Sequence, residues 1–168
     1  MRVKEGSPVH RQPYSRKDRL IKEKRHDVYQ ERSKWPEPTR CTGCGALFVN
    51  GRWTWQEAPP KTYETICPAC RRIADRYPAG YVEIRGPFLA EHHAEILNLI
   101  TNVEKQEKSE HPLERIIATT SEKDHLLITS TGHHLARRIG EALARAYKGE
   151  LSFQYAEAED SIRVYWQR

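Results

Sequence analysis

Two C-x-x-C pairs constrain this chain more than any other feature of it. Cys41 and Cys44 stand in "CTGCG" and Cys67 and Cys70 in "CPAC", with 22 residues between the pairs and no other cysteine in the 168-residue sequence. Each pair can turn two sulfurs toward one tetrahedral ion, provided the segment between them doubles back. Four thiolates leave no exchangeable position, which is the donor set of a closed, structural zinc site. One structural Zn²⁺ is therefore expected. A redox dithiol is the alternative, but that chemistry needs only one pair, set between a strand and a helix of a βαβ unit. Disulfides belong to oxidising compartments, and no apolar stretch follows the basic N-terminus as it would in a secretory signal. No run approaches membrane-spanning length. A cytoplasmic protein without a membrane partner is expected.

The segment between the pairs supplies the reversal. "ALFV" and "RWTW" flank Asn50-Gly51, a strong short hairpin signal. Trp53 and Trp55 lie two apart, so in a strand both rings face one way and Arg52 faces the other. The rings either pack on the metal core and the following domain, or leave an aromatic surface beside Arg52, Arg71 and Arg72 that suits RNA. "CPAC" runs into "RRIADRY", a predicted helix ending before Pro78. Four thiolates on one divalent ion leave a local charge near −2, which Arg40, Arg71 and Arg72 can offset. A module of this size cannot bury enough apolar area to fold unaided, so the metal is also expected to supply its stability.

Charge is distributed unevenly. Residues 1–40 carry 12 Lys and Arg against 6 Asp and Glu, whereas residues 81–168 carry 11 against 14. An N-terminal excess of this kind indicates either a polyanionic partner or a solvated tail. "SRKDRLIKEKRHDVYQER", residues 15–32, can form a helix with Ser15 as its N-cap, but its apolar stripe is thin and the helix is marginal in water. Arg11, Arg16, Lys17, Arg19, Lys22, Lys24, Arg25, Lys34 and Arg40 are the candidate phosphate partners. Tyr14, Tyr29 and Trp35 are interleaved with them, as base stacking beside phosphate pairing would require.

Residues 81–168 are expected to form one α/β domain. "YVEIRG" is a strand, Leu89 to Lys108 a helix with Leu89, Ile96, Leu97, Ile100 and Val103 on one face. "RIIAT" and "HLLITS" form a hairpin across "TSEKD". A second helix covers His133 to Lys148 and stops at Gly149, and "ELSFQYA" and "IRVYWQ" close the chain as another hairpin. The expected class is α+β: a basic arm over 1–40, a four-cysteine zinc-ribbon-like module over 41–80, and a β-α-β-β-α-β-β domain over 81–168. Its sheet is mostly antiparallel, with two helices on one face.

Other clusters are weaker. "TSTGHH", from Thr131 to His133 and His134 in particular, can hold phosphate at a helix N-terminus, although ordinary capping by Ser130 or Thr131 is the simpler reading. His134, Arg138, Arg145 and Lys148, with Glu141 between, make a solvated or phosphate-tracking helix face, and Arg137 is a further RNA-binding candidate. His92 and His93 beside Glu91 and Glu95 lack metal-protease spacing and read as a polar helix start. No nucleophile elbow, Walker loop or carboxylate pair is present, so no enzymatic activity and no small-molecule substrate are expected.

"PEPTRCTGCGALFVNGRWTW", "CPAC" and "YVEIRG" resemble a small group of bacterial zinc-ribbon proteins. More distantly, the cysteine pairs and "DHLLITSTGHHLARRIGEALARAYKGEL" are similar to the large-ribosomal-subunit export adaptor family of archaea and eukaryotes, named for nonsense-mediated decay protein three. In that family a strand ending in hydroxyl residues leads into a helix of the form "HAR". Here His134, Ala136 and Arg137 match with Leu135 inserted between the first two. The resemblance covers residues 36–168 and implies binding to the ribosome or to large-subunit rRNA. The family's translation-factor-like barrel and export signals have no counterpart in these residues, so export is not implied. The expected function is a monomeric, non-enzymatic rRNA-binding zinc protein acting in ribosome hibernation, assembly or quality control. The alternative is a DNA-binding or protein-docking zinc ribbon acting in transcription.

Overall fold

The computed structural model describes residues 28–29, 34–156 and 159–168. Within them the chain is a mixed α/β protein with three helices and two mostly antiparallel sheets. The helix expected over 15–32 lies outside the described residues except for Val28 and Tyr29.

The first sheet holds four short strands, β1 (Thr39–Cys41), β2 (Leu47–Val49), β3 (Arg52–Thr54) and β4 (Tyr63–Thr65), in the order β3-β2-β1-β4. β2 and β3 form the hairpin that the Asn-Gly pair predicts. Asn50 and Gly51 both take positive φ, 53° and 75°, as a two-residue primed turn requires. The Glu37 carboxylate accepts both turn N–H groups, at 2.7 and 3.0 Å. β1 and β4 carry no alternation to betray them. β1 pairs antiparallel with β2 and parallel with β4, and so carries Cys41 into the middle of the sheet. Helix α1 (Pro68–Asp75) follows directly from Cys67, its N-cap.

The second sheet has the order β6-β7-β5-β9-β8, from β5 (Gly80–Arg85), β6 (Ile116–Glu122), β7 (His125–Ser130), β8 (Glu150–Ala156) and β9 (Ser161–Gln167). Only β5 and β9 run parallel. Helix α2 (Pro87–Glu110) joins β5 to β6 and breaks once, at His92 (φ −120°, ψ 24°). Helix α3 (His133–Tyr147) joins β7 to β8. The β6–β7 turn is tighter than the sequence suggests: strand pairing continues to Glu122, so only Lys123 and Asp124 lie between the strands.

Alternation decides which sheet face is covered. Val82 and Ile84, Leu126 and Ile128, and Ile162, Val164 and Trp166 all project to one side and are buried. Leu89, Ile96 and Ile100 of α2 and Leu135, Ile139 and Leu143 of α3 complete that core. Burying each such side chain stabilises the fold by about 1.5–3 kcal/mol. The opposite face keeps Tyr81, Glu83, Arg85 and Arg163 half-exposed or exposed, with the Arg163 guanidinium 4.4 Å from the Tyr81 ring centre. β9 lies inside the sheet, paired on one side with β5 and on the other with β8, and its three apolar side chains are buried beneath α3.

Candidate metal centre

All four sulfurs converge. Cys41 and Cys44 come from the end of β1 and the turn behind it, Cys67 and Cys70 from the N-cap and first turn of α1. Their Sγ atoms lie within 4.8 Å of one another, at 3.8 Å for both Cys41–Cys70 and Cys44–Cys67. A tetrahedron of thiolates around an ion at about 2.3 Å has edges of about 3.8 Å. Both of these approaches run between the pairs, and no disulfide joins any of the four. A redox dithiol needs only the two partners of one C-x-x-C together, whereas here the two pairs meet each other.

The surroundings suit charged sulfur. Backbone N–H groups of Gly43 (3.3 Å) and Cys67 (3.2 Å) donate to Cys41 Sγ, and that of Cys70 donates to Cys67 Sγ (3.4 Å). Burial would raise the Cys41 thiol, but the N–H groups of Cys67, Cys44 and Gly43 outweigh it and bring the pKa down to about 6. Burial pushes Cys44 and Cys67 up, and the neighbouring sulfurs add to the effect. Four such groups cannot ionise side by side without a cation among them, so the donor set fits a metal ion held by Cys41, Cys44, Cys67 and Cys70.

A second cation reaches the site from far along the sequence. Arg115, between α2 and β6 and 8% exposed, donates from Nη2 to Cys67 Sγ (3.4 Å) and Cys70 Sγ (3.3 Å). Burial opposes its charge, yet the hydrogen bond to Cys70 and the nearby sulfurs more than compensate and raise its pKa further. Its backbone N–H donates to Thr131 Oγ1 at 2.9 Å, which fixes the loop. No local signal marks Arg115, since it stands 45 residues beyond Cys70. Removing the guanidinium with Arg115→Met leaves the thiolates short of a charged donor. It is expected to cost about 1.5–3 kcal/mol, read as a lowered urea midpoint and faster loss of metal to a chelator. An unchanged midpoint and transfer rate would assign Arg115 to packing alone.

The cations proposed from sequence as the offset for this charge also have other partners. Arg40 pairs with Glu64 at 2.6 Å. Arg71 Nη2 donates to Thr65 Oγ1 at 3.4 Å. Arg72 is buried, donates to the Tyr77 carbonyl at 3.1 Å and stands 4.5 Å from the Tyr29 ring centre.

The remaining candidates divide clearly. Tyr29 is tied to α1 through its hydroxyl, which donates to Asp75 at 2.9 Å. Trp35, Phe48 and Trp53 form one aromatic cluster, with ring centres 4.7 to 5.5 Å apart, and Trp53 also packs on the cysteine core. Trp55 lies beyond β3 and donates from Nε1 to the Lys108 carbonyl at 2.6 Å, joining the cysteine module to the end of α2. Lys34 and Arg52 are exposed. Thr131 is buried with its hydroxyl donating to the Leu113 carbonyl at 2.5 Å, so it braces a loop rather than facing solvent. His133 Nε2 sits 2.7 Å from the Asp160 carbonyl. His134 lies 3.0 Å and Arg138 2.8 Å from the Glu107 carboxylate, and Arg137 pairs with Glu141 at 3.0 Å. On the first turns of α3, His134, Arg137 and Arg138 therefore face carboxylates, whereas Arg145 and Lys148 toward its end are exposed. Arg11, Tyr14, Arg16, Lys17, Arg19, Lys22, Lys24 and Arg25 lie outside the described residues.

Fold and site together define a mixed α/β protein with a cluster of four cysteines close enough to hold a metal ion, tied to its larger sheet domain through Arg115 and Trp55. No protein-family model, curated protein or solved structure matches the chain. Among the described residues no helix is long and apolar enough to cross a membrane.

Proposed function

We propose that the cysteines hold one structural Zn²⁺ and that the protein is a monomeric, cytoplasmic, non-enzymatic factor that binds rRNA of the large ribosomal subunit. The observation that carries this reading is the excess of 12 cations over 6 anions in residues 1–40, ahead of a metal module that begins within that same segment. Trp35 packs into the module and Thr39–Cys41 is a strand of its sheet, so the cationic segment leads into a rigid body. A cationic leader on such a body suits folded RNA, where phosphates give affinity and a fixed platform gives orientation. The resemblance of the cysteine pairs and of the "HLLITSTGHHLARR" unit to the ribosomal export adaptor family supports the same partner. The contacts are assigned to the N-terminal cations, Lys34 and Arg52. His134, Arg137 and Arg138 are left out, because each faces a carboxylate.

Hibernation, assembly and quality control all require this kind of binding. Sedimentation of the tagged protein through sucrose gradients at low salt tests it, in growing and in starved cells. Co-migration with the large subunit is expected, with release as salt rises. Absence from every ribosomal fraction in both states would end this reading, and retention on duplex DNA instead would favour a role in transcription.

A further inference from the structure

We propose that Glu107, His111 and His134 form a second metal site, one for a borderline divalent transition ion such as Zn²⁺, Co²⁺ or Ni²⁺, at the junction of α2 and α3. One carboxylate oxygen and one nitrogen from each imidazole lie within 4.8 Å of one another. Glu107 and His111 stand one turn apart at the end of α2, and His134 is the second residue of α3. Two imidazoles and a carboxylate are a donor set for such ions, and three protein ligands leave room for water or an anionic oxygen.

The details are those of a prepared site. His134 Nε2 lies 3.0 Å from Glu107 Oε2. Two adjacent ligands on an ion at about 2.0–2.1 Å stand about 2.8–3.0 Å apart in octahedral geometry and about 3.3–3.4 Å apart in tetrahedral geometry, so this pair already stands at an octahedral edge. The Glu107 side chain is 9% exposed, and its other oxygen accepts from Arg138 Nε at 2.8 Å. That bond holds the carboxylate plane and leaves Oε2 for the ion, although the guanidinium charge moderates affinity. The His111 and His134 rings stand 5.9 Å apart at 81°, both on a cleft of about 490 Å³ shared with Arg52 and Trp53, so the site is reached from solvent.

An ordinary ion pair accounts for Glu107, His134 and Arg138 but gives no part to His111. The second site also adjoins the first. Residues 111–115 begin with a proposed ligand, include Leu113 packed on the cysteine core, and end with the Arg115 donor to its sulfurs. An ion here would pin α2 to α3 and brace that loop. The inference does not depend on RNA binding.

The test uses the full chain with its cysteines first occupied by Zn²⁺, which is spectroscopically silent, and then titrated with Co²⁺. One further equivalent is expected to bind, with weak visible ligand-field absorption and no sulfur-to-cobalt charge transfer. His111→Ala and His134→Ala, both at exposed positions, should each weaken Co²⁺ binding by about 100-fold or more, the upper end of what a lost outer-shell partner costs. Each should keep one Zn²⁺ per chain and the parent's far-ultraviolet circular dichroism and urea midpoint, which together certify that the cysteine module and the α2–α3 domain are both folded. Glu107→Gln supplies a shape-preserving third variant. No saturable Co²⁺ binding would overturn the proposal. So would binding unchanged in both histidine variants, or charge-transfer bands that place the Co²⁺ on the cysteines.

Discussion

Cys67→Ser is expected to empty the four-cysteine centre and unfold the module around it while leaving the five-stranded domain folded. The buried core of the module is Cys41, Ala46, Cys67 and Ala69, with Leu47 beside it. Two of those are ligands and two are alanines, so apolar burial there supplies only a few kcal/mol. A structural zinc ion supplies an apparent 10–16 kcal/mol or so in comparably small modules. Without the ion, three-residue strands held by so little packing cannot persist. Serine also separates two roles of Cys67, whose sulfur caps α1 by accepting from Cys70 N–H at 3.4 Å. A serine oxygen caps a helix at least as well, so helix capping survives and metal binding does not. Elemental analysis should show one zinc ion fewer per chain than in the parent. Limited proteolysis should open the chain between Thr39 and Asp75, and the near-ultraviolet signal of the Trp35–Trp53 pair should collapse. An ion count equal to the parent's, together with full protease resistance, would mean that three cysteines suffice, and the closed-site reading would fail.

The second large effect concerns the N-terminal cations. Replacing Arg16, Lys17 and Arg19 together by alanine is expected to flatten the salt dependence of rRNA binding. Each neutralised phosphate contributes a slope of about 0.7 to 0.9 in log affinity against log salt, so three lost cations lower the slope by about 2 to 3. Between 50 and 200 mM salt the unaltered chain should therefore lose roughly 20- to 40-fold more affinity than the variant. The variant is weaker at low salt and converges on the parent at high salt. Filter binding or fluorescence anisotropy against a large-subunit rRNA fragment reads both slopes. Equal slopes would make this segment a bystander, and would move any RNA contact onto Lys34 and Arg52 of the module.

The elements that follow a strict local period were readable along the chain. The Asn50-Gly51 hairpin, α2 and α3 with their apolar faces, and the β8–β9 pair stand where alternation or helical spacing puts them. β1 and β4 were not readable, because three-residue strands carry too little pattern and exist through pairing alone. The arm boundary drawn at residue 40 falls inside β1, and Trp35 is already part of the module's aromatic cluster. The same division holds at the sites. The four cysteines announce themselves by spacing, whereas Arg115, Leu113 and the Glu107–His111–His134 group gather residues from separate helices and loops.

Sequence alone determined which sulfurs can share an ion, which strands alternate, and where the charge excess lies, since each depends on residues close in the chain. Tertiary structure alone decided the insertion of β9 between β5 and β8, the docking of Trp55 on α2, and the arrival of Arg115 at the thiolates. Those choices compare the burial of one surface with the burial of another, and no local period encodes that comparison. The pairing of His134 and Arg138 with Glu107 is of the same kind: a helix that reads as cationic in isolation becomes, once packed, half of a carboxylate-centred site.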